Sequence, residues 1–332
     1  MSQNIQTRSV KDVLKDLRLD NDALVIFSPT SVAKAGVQQE INDLGSYPLP
    51  ATGINYESLT SAFDNYDTYV GFGGGTAIDI AKFLSHRNPP STCIAIPSML
   101  STNVFATNKT AAIYKTHKKT VDSKLPDKVI LDYDLLEKSM QENIFGLADA
   151  LSIHTAMRDW LIADREGIEP VVYKFLGWDT SILYKAQEIV KKIALSFPDN
   201  EIIIEETFDV LLQAGYITNE WGCGRPESGS EHVVAKYIEE LVSVPHAVAV
   251  TCGIAIVSQL QENHVAVTEL MQLGMFDAVR NSEVTKEVLI KALQNVKPRE
   301  GRYTVIDLWV GQDGHLNNEL INQLVQNSGL YD

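Results

Sequence analysis

A glycine run between an apolar stretch and an amphipathic stretch constrains this chain more than any other feature. Residues 69–73 are typical of a buried strand, residues 76–82 are typical of the start of a helix, and Gly73-Gly74-Gly75 joins them. Successive glycines remove every Cβ from the turn, so backbone N–H groups can approach an anion at the positive end of the helix dipole. A tight turn without a ligand is the alternative interpretation. The pattern favours a site for a nucleotide pyrophosphate.

Strand and helix patterns alternate in the first part of the chain. The strand patterns occupy residues 23–27, 69–73, 92–96 and 128–131. Such alternation is typical of a Rossmann-like, mostly parallel sheet covered by helices. From about residue 139 onward long helical patterns replace the strands. We therefore predict an α/β dinucleotide-binding domain over residues 1–138 and an all-helical, metal- and substrate-binding domain over residues 139–332.

Charge and cysteine content narrow the possible partners. The 332-residue chain has a formal net charge of −15, which disfavours general binding to nucleic acid or to an anionic membrane. Cys93, Cys223 and Cys252 are far apart in the sequence, so neither a disulfide framework nor a cysteine metal site is expected. No basic-then-apolar leader opens the chain, and no apolar run approaches the roughly 18 residues of a membrane span. We expect a cytoplasmic protein.

Two kinds of candidate site follow from the sequence. Residues 98–110 are rich in hydroxyl and amide side chains and follow a predicted strand, where open α/β sheets bind ligands; a polar surface loop is the alternative. In the helical half, the segments 146–152, 228–232 and 245–246 offer carboxylate and imidazole groups. One carboxylate and two imidazoles can bind zinc or iron and leave positions open for substrate. A single histidine is more often a structural residue, and His154 and His264 are competing candidates.

These segments, together with Asp159-Trp160 and Arg302-Tyr303-Thr304, occur in the order found in a known family. The chain resembles the sn-glycerol-1-phosphate dehydrogenase branch of the dehydroquinate synthase and iron-containing alcohol dehydrogenase superfamily. The resemblance implies a dehydroquinate synthase-like fold, and one divalent metal, zinc ahead of iron or nickel, bound by Asp149, His232 and His246. It also implies that NAD or NADP is bound by Gly73, Gly74, Gly75, Thr76, Ala77, Ser98, Ser101 and Thr107.

The sequence departs from the family pattern at positions expected to face the substrate. Asn103 stands where the dehydrogenases carry an aspartate, and Lys236 stands where a histidine usually follows the first metal histidine. After His246 the chain has Ala-Val in place of the common Gly-Glu. A negative charge is lost at Asn103 and a positive one is added at Lys236, which favours an anion. Lys109, in a pair that resembles the Lys-Thr of dehydroquinate synthases, would add to this; ordinary surface lysines are the alternative.

The leading hypothesis is metal-assisted hydride transfer between NAD(P)H and a small phosphorylated or otherwise anionic hydroxyketone, with dihydroxyacetone phosphate as the nearest family substrate. Asp149, Asn103, Lys236 and Lys109 are its candidate catalytic residues: Asn103 orients a substrate hydroxyl, and the lysines pair with the anionic group. A cyclase or phosphate lyase resembling dehydroquinate synthase is the second hypothesis, although the Gly-His-Thr-x-Gly-His run of those enzymes is missing. A non-catalytic nucleotide-binding relative is the third. A homo-oligomer is compatible with each.

Overall fold

The computed structural model describes residues 3–17, 22–44, 49–50, 56, 59, 63–114, 117–195 and 199–331. The chain divides into two compact units, which we call the sheet unit (Met1–Ile144 with Asp199–Asn219) and the helical unit (Phe145–Pro198 with Glu220–Asp332). This division differs from the predicted boundary after residue 138, because residues 199–219 return to the sheet unit. There Phe208 stacks on Phe105 with ring centroids 5.0 Å apart.

The sheet unit is built on a six-stranded sheet in which every pair of neighbours is parallel. The strands of the unit are β1 Asn4–Thr7, β2 Ala23–Phe27, β3 Leu49–Pro50, β4 Thr68–Gly73, β5 Thr92–Pro97, β6 Lys109–Tyr114, β7 His117–Asp122 and β8 Lys128–Leu131. The order across the sheet is β1-β8-β5-β4-β2-β3, and β6 pairs with β7 as a separate antiparallel hairpin. The predicted parallel sheet is confirmed.

Helices cover this sheet. They are α1 Val10–Leu17, α2 Pro29–Ala35, α3 Gln38–Asn42, α4 Gly75–Arg87, α5 Tyr133–Glu137, α6 Met140–Phe145 and α10 Asn200–Trp221. The sequence pattern predicts one helix over residues 32–42, and this is wrong: Gly36 adopts φ +68° and ends α2 before α3 begins. A predicted extended stretch at residues 47–54 and a predicted helix at residues 56–65 lie largely outside the described residues.

The helical unit confirms the second half of the fold prediction. Its helices are α7 Leu147–Leu151, α8 Ile153–Arg165, α9 Tyr173–Ala194, α11 Ser230–Leu241, α12 His246–Leu260, α13 Val265–Gln272, α14 Met275–Arg280, α15 Lys286–Asn295, α16 Val305–Trp309 and α17 Asn318–Gln326. Helix α12 is apolar along almost its whole length and forms the buried centre. None of the described helices is long and apolar enough to cross a membrane.

Helices α11 and α12 approach each other unusually closely. A Cβ placed on Gly253 of α12 would lie 2.1 Å from the backbone oxygen of Glu231 in the first turn of α11. No side chain fits between backbones at that separation, so a glycine is required at this position. The contact joins the first turn of α11 to the middle of α12, and each of these helices carries a candidate metal ligand in its first turn.

Candidate functional site

Asp149, His232 and His246 converge in the helical unit, although they are far apart in the sequence. Asp149 lies in the first turn of α7, His232 lies in the first turn of α11, and His246 begins α12. One side-chain donor atom from each residue lies within 4.8 Å of the other two. The Nε2 atoms of His232 and His246 are 3.6 and 3.4 Å from Asp149 Oδ1. No other cluster of this kind occurs among the described residues.

Each imidazole is oriented by a second carboxylate on its far side. His232 Nδ1 is 2.7 Å from Glu231 Oε1, and His246 Nδ1 is 2.7 Å from Glu239 Oε1. A carboxylate at Nδ1 fixes the tautomer that presents Nε2 to a metal and raises the basicity of that nitrogen. Sequence reasoning missed both glutamates. Glu231 precedes a histidine in the chain, but Glu239 becomes a partner of His246 only because α11 and α12 pack together.

The three donors fit a divalent cation. Asp149 Oδ1 is buried and makes no hydrogen bond within the described structure, so it has a coordination position to offer. Burial alone would raise the pKa of Asp149, but the two imidazoles hold it below its usual range. Burial would lower the pKa of the imidazoles, but the facing carboxylates raise it to about 9 for His232 and about 10 for His246. One carboxylate oxygen and two imidazoles suit zinc or iron.

Asp159 fixes the segment that leads into α11. Its carboxylate is fully buried and accepts hydrogen bonds from the backbone N–H of Ser230 at 2.6 Å, from the N–H of Val305 at 2.9 Å and from the Gln261 amide at 2.7 Å. Burial and the charge of Glu231 raise the pKa of Asp159 to about 6. This carboxylate therefore ties the start of α11 to α8, α12 and the start of α16.

The glycines at the turn of the sheet unit form two pairs that differ in the space around each Cβ position. A Cβ on Gly71 would lie 2.6 Å from the Cα of Ile78, and Gly73 has φ +147°. These two glycines are required by the fold itself. A Cβ on Gly74 would meet nothing within 4 Å, and one on Gly75 would meet only ordinary contacts at 3.7 Å and beyond. The Cβ positions of these two glycines at the start of α4 are therefore open, as close approach of an anionic group to a helix N-terminus requires.

The other predicted cofactor residues are placed differently. Thr76 is exposed at the start of α4, Ala77 is buried, and Ser101 is half-buried in the loop after β5. The hydroxyl of Ser98 is buried and lies 2.8 Å from that of Ser31. The Thr107 hydroxyl donates to the backbone oxygen of Lys109 at 3.0 Å. The hydroxyls of Ser98 and Thr107 are thus already engaged within the sheet unit.

The candidate catalytic residues outside the triad are divided between the units. Asn103 is half-buried at the start of a 3-10 turn in the sheet unit. Lys109, in the same unit, pairs with Asp122 across the β6–β7 hairpin. Lys236 lies on α11 one turn after His232, with 43% of its side chain exposed. Their roles toward a substrate stay predictions.

A fully buried lysine, whose environment the sequence did not reveal, supports the loop after β5. Lys82 Nζ lies 3.1 Å from Asp79 Oδ1 and donates to the backbone oxygens of Val104 and Lys109. Burial lowers its pKa, since the charged form loses water. The lysine therefore connects α4 to both ends of the segment that contains Thr107.

The chain is similar to known proteins in sequence. The family model for iron-containing alcohol dehydrogenase matches residues 3–139. The glycerol-1-phosphate dehydrogenase [NAD(P)+] of Methanothrix thermoacetophila is 26% identical over 316 residues, covering 90% of this chain and 87% of the relative. That of Methanosarcina mazei is 26% identical over 313 residues, covering 90% and 86%.

Over residues 3–139 the chain is therefore similar to the iron-containing alcohol dehydrogenase family. Over 90% of its length it is similar to glycerol-1-phosphate dehydrogenases, which confirms the resemblance seen in the motifs.

Solved structures share the fold of this chain. A probable glycerol dehydrogenase from Sinorhizobium meliloti 1021 superposes with a TM-score of 0.71 at 16% identity, covering 98% of this chain and 97% of that one. An iron-containing alcohol dehydrogenase from Thermotoga maritima has a TM-score of 0.65 at 14% identity, covering 99% and 98%. These likenesses confirm the predicted fold class.

Proposed function

We propose that this protein is a metal-dependent NAD(P)-linked oxidoreductase that acts on a small phosphorylated alcohol or hydroxyketone, as glycerol-1-phosphate dehydrogenases do. The convergence of Asp149, His232 and His246 within 4.8 Å carries the proposal. The full-length similarity to proteins named glycerol-1-phosphate dehydrogenase [NAD(P)+] supports the choice of reaction and of substrate class.

Asp149, His232 and His246 would bind the divalent metal, zinc ahead of iron or nickel. When bound, it supplies Lewis-acid stabilisation of negative charge on a substrate oxygen. The protein's part is to hold the two Nε2 atoms toward Asp149 through Glu231 and Glu239. Because both glutamates are mostly or fully shielded from water, these contacts keep the imidazole rings in one orientation throughout a turnover.

The turn at Gly74 and Gly75 would bind the pyrophosphate of NAD or NADP at the N-terminus of α4. Open space at both Cβ positions supports this assignment. Gly73, Thr76, Ala77, Ser98, Ser101 and Thr107 complete the proposed cofactor site. We assign Ser98 and Thr107 a supporting part, since their hydroxyls are engaged by Ser31 and by the Lys109 backbone.

Three residues are proposed to recognise the substrate. Asn103 would orient a hydroxyl. Lys236 would pair with the anionic group, since its ammonium is held only by a long 3.8 Å contact with Glu240 and a 6.0 Å approach to the Tyr237 ring. Lys109 would have to exchange its ion pair with Asp122 for the substrate, so we rank it behind Lys236. Substitution Lys236→Ala should raise KM for dihydroxyacetone phosphate far more than KM for neutral dihydroxyacetone.

The experiment is NADH and NADPH oxidation with dihydroxyacetone phosphate, followed by nicotinamide absorbance. The protein is loaded with zinc, with iron or with nickel, or is treated with chelator, and Asp149→Asn serves as the matched variant. We expect turnover that chelator abolishes, that added metal restores and that Asp149→Asn lacks. Turnover that is equal with and without chelator would contradict the proposed metal dependence. Substrate consumption without net cofactor oxidation would point to cyclase chemistry.

A further inference from the structure

A cluster of arginines lies at a cavity in the helical unit, apart from the candidate metal ligands. The cavity has a volume of about 450 Å³, and Arg299, Arg302 and Tyr303 line it together with Glu169 and Asp307. The first three residues belong to the loop between α15 and α16, where backbone bonding brings Arg299 next to Arg302. A third guanidinium, that of Arg225, lies behind the wall of the cavity with 1% of its surface exposed.

Both carboxylates that line the cavity already have partners. Glu169 Oε2 lies 3.0 Å from Nε of Arg225. Asp307 accepts hydrogen bonds from the backbone N–H and the hydroxyl of Thr304 at 2.8 and 3.0 Å, where it caps α16. Their negative charges are therefore offset by a buried guanidinium and by a helix N-terminus. The two carboxylates that line the cavity therefore pair with other groups and not with Arg299 or Arg302.

The guanidinium of Arg302 makes hydrogen bonds within the protein. Its Nη1 donates to the backbone oxygens of Gly224 and Ser228, and its Nη2 lies 3.6 Å from Cys223 Sγ. These neutral acceptors leave its positive charge uncompensated. Arg225 Nη2 donates to another neutral acceptor, the backbone oxygen of Tyr303, at 3.0 Å.

Arg299 differs from its neighbours because its guanidinium has no hydrogen bond or ion pair with any described residue. Arg299 is exposed as a residue, but partial loss of water around its guanidinium and the charges of Arg302 and Arg225 lower its pKa to about 10, against the opposing effects of Cys223 and Glu231. Like charges that are held together around an open cavity attract an anion strongly. A guanidinium offers two parallel N–H donors, which match the oxygens of a phosphate group.

We propose that this cavity binds a phosphate group, either inorganic phosphate or the phosphate of a small ester, through Arg299 and Arg302. Its volume exceeds that of one phosphate, so it leaves room for a small organic group beside the Tyr303 ring. None of the lining residues is a candidate metal ligand or one of the glutamates that contact those ligands. The cavity is therefore a second anion site, additional to the proposed substrate site.

Binding of an anion in the cavity would affect the candidate metal ligand His232 through one loop. Arg302 holds the loop that contains Cys223, Gly224 and Ser228, and α11 begins at Ser230 directly after it. An anion that orders Arg302 thus steadies the first turn of α11, which carries His232. The thiol of Cys223 provides a reporter, because it is exposed while Cys93 and Cys252 are buried.

The first test is calorimetric titration of the full chain, without nicotinamide, with inorganic phosphate and separately with glycerol phosphate against a chloride control of equal ionic strength. Loss of one charge-assisted contact should weaken phosphate binding about tenfold or more in Arg299→Ala, with partial rescue in Arg299→Lys. Lys297→Ala is the matched control, because it removes an exposed cation from the same loop without touching the cavity. It should bind like the parent.

The second test measures the rate at which iodoacetamide alkylates Cys223. We expect phosphate to slow alkylation in the parent chain and in Lys297→Ala, and to leave the rate unchanged in Arg299→Ala. Equal phosphate affinity in the parent and Arg299→Ala would overturn the proposal. So would binding that Lys236→Ala removes and Arg299→Ala retains, since that would assign the phosphate to the proposed substrate site. Tighter binding of glycerol phosphate than of inorganic phosphate would identify an ester as the preferred ligand.

Discussion

The substitution Glu239→Gln tests whether the carboxylates behind the imidazoles belong to the metal centre. Glu239 Oε1 lies 2.7 Å from His246 Nδ1, and only 10% of the glutamate side chain is exposed. Glutamine has almost the same shape and retains one oxygen as an acceptor, but it carries no charge. The substitution therefore changes the electrostatics of His246 and leaves the packing of α11 against α12 in place.

The expected magnitude follows from the burial of this contact. Loss of such a partner usually lowers metal affinity 10–100-fold, or about 1.4–2.8 kcal/mol. Because the glutamine oxygen can still accept a hydrogen bond from Nδ1–H, Glu239→Gln should fall near the lower limit, about tenfold. Glu239→Ala removes the acceptor altogether and should approach the upper limit, about 100-fold.

Zinc affinity is measured by competition with a chromophoric chelator at constant pH. Glu240→Gln is the matched control. The Glu240 carboxylate lies 3.8 Å from the Lys236 ammonium, and loss of its charge should change the free energy of zinc binding by less than about 0.5 kcal/mol. If Glu239→Gln binds zinc as tightly as the parent, Glu239 is only a structural partner of His246 and the reasoning is refuted.

Three further predictions concern other residues. Gly74→Ala should weaken NAD(P) binding, measured by fluorescence titration, with an unchanged melting temperature, because its Cβ meets no protein atom within 4 Å; unchanged affinity would remove this turn from the cofactor site. Gly253→Ala should lower the free energy of unfolding in urea by several kcal/mol, since its Cβ would lie 2.1 Å from a backbone oxygen of α11. Gly177→Ala, on the exposed face of α9, should raise it by about 0.5–1 kcal/mol. Burial and the charge of Glu227 raise the pKa of Asp179 to about 8 in the folded state, from its ordinary value of 3.8. Between these two pH values the folded protein therefore holds a proton on Asp179 that the unfolded chain has released. Stability is therefore lost as pH rises through this interval, and Asp179→Asn should stabilise increasingly over it and not below it; a gain independent of pH would contradict this assignment.

The grouping of Asp149, His232 and His246 could be expected from the sequence because these residues lie in short motifs that resemble those of a known family. Asp149, His232 and His246 each occupy the first turn of a helix, where a helical pattern and a local motif coincide. The residues that orient the triad could not be predicted in the same way. Glu239 is seven positions before His246 and on a different helix, so its role depends on how tightly α11 and α12 pack.

The sheet unit shows the same limit. Buried strands such as β4 and β5 have no polar side chain other than the Tyr69 hydroxyl after their first residue, a threonine, and were predicted. Strand β1 is an edge strand with the polar sequence Asn-Ile-Gln-Thr and was missed. An edge strand is held by backbone hydrogen bonds to one neighbour, here β8, which no side-chain pattern reveals. The loop residues Ser98 and Thr107 were assigned to the cofactor because they are polar, but polarity alone does not show that Ser31 and Lys109 engage their hydroxyls.

The close approach at Gly253 also bears on how a metal ion would leave the protein. The close approach of the two backbones at Gly253 opposes sliding of α11 along α12, so His232 and His246 would bind a metal ion as one rigid pair of donors. If one imidazole released the ion, the other would keep it near the vacated nitrogen and would favour rebinding over diffusion away. We therefore expect slow metal exchange in this protein, with a residence time set by the packing of two helices as much as by the strength of each coordinate bond.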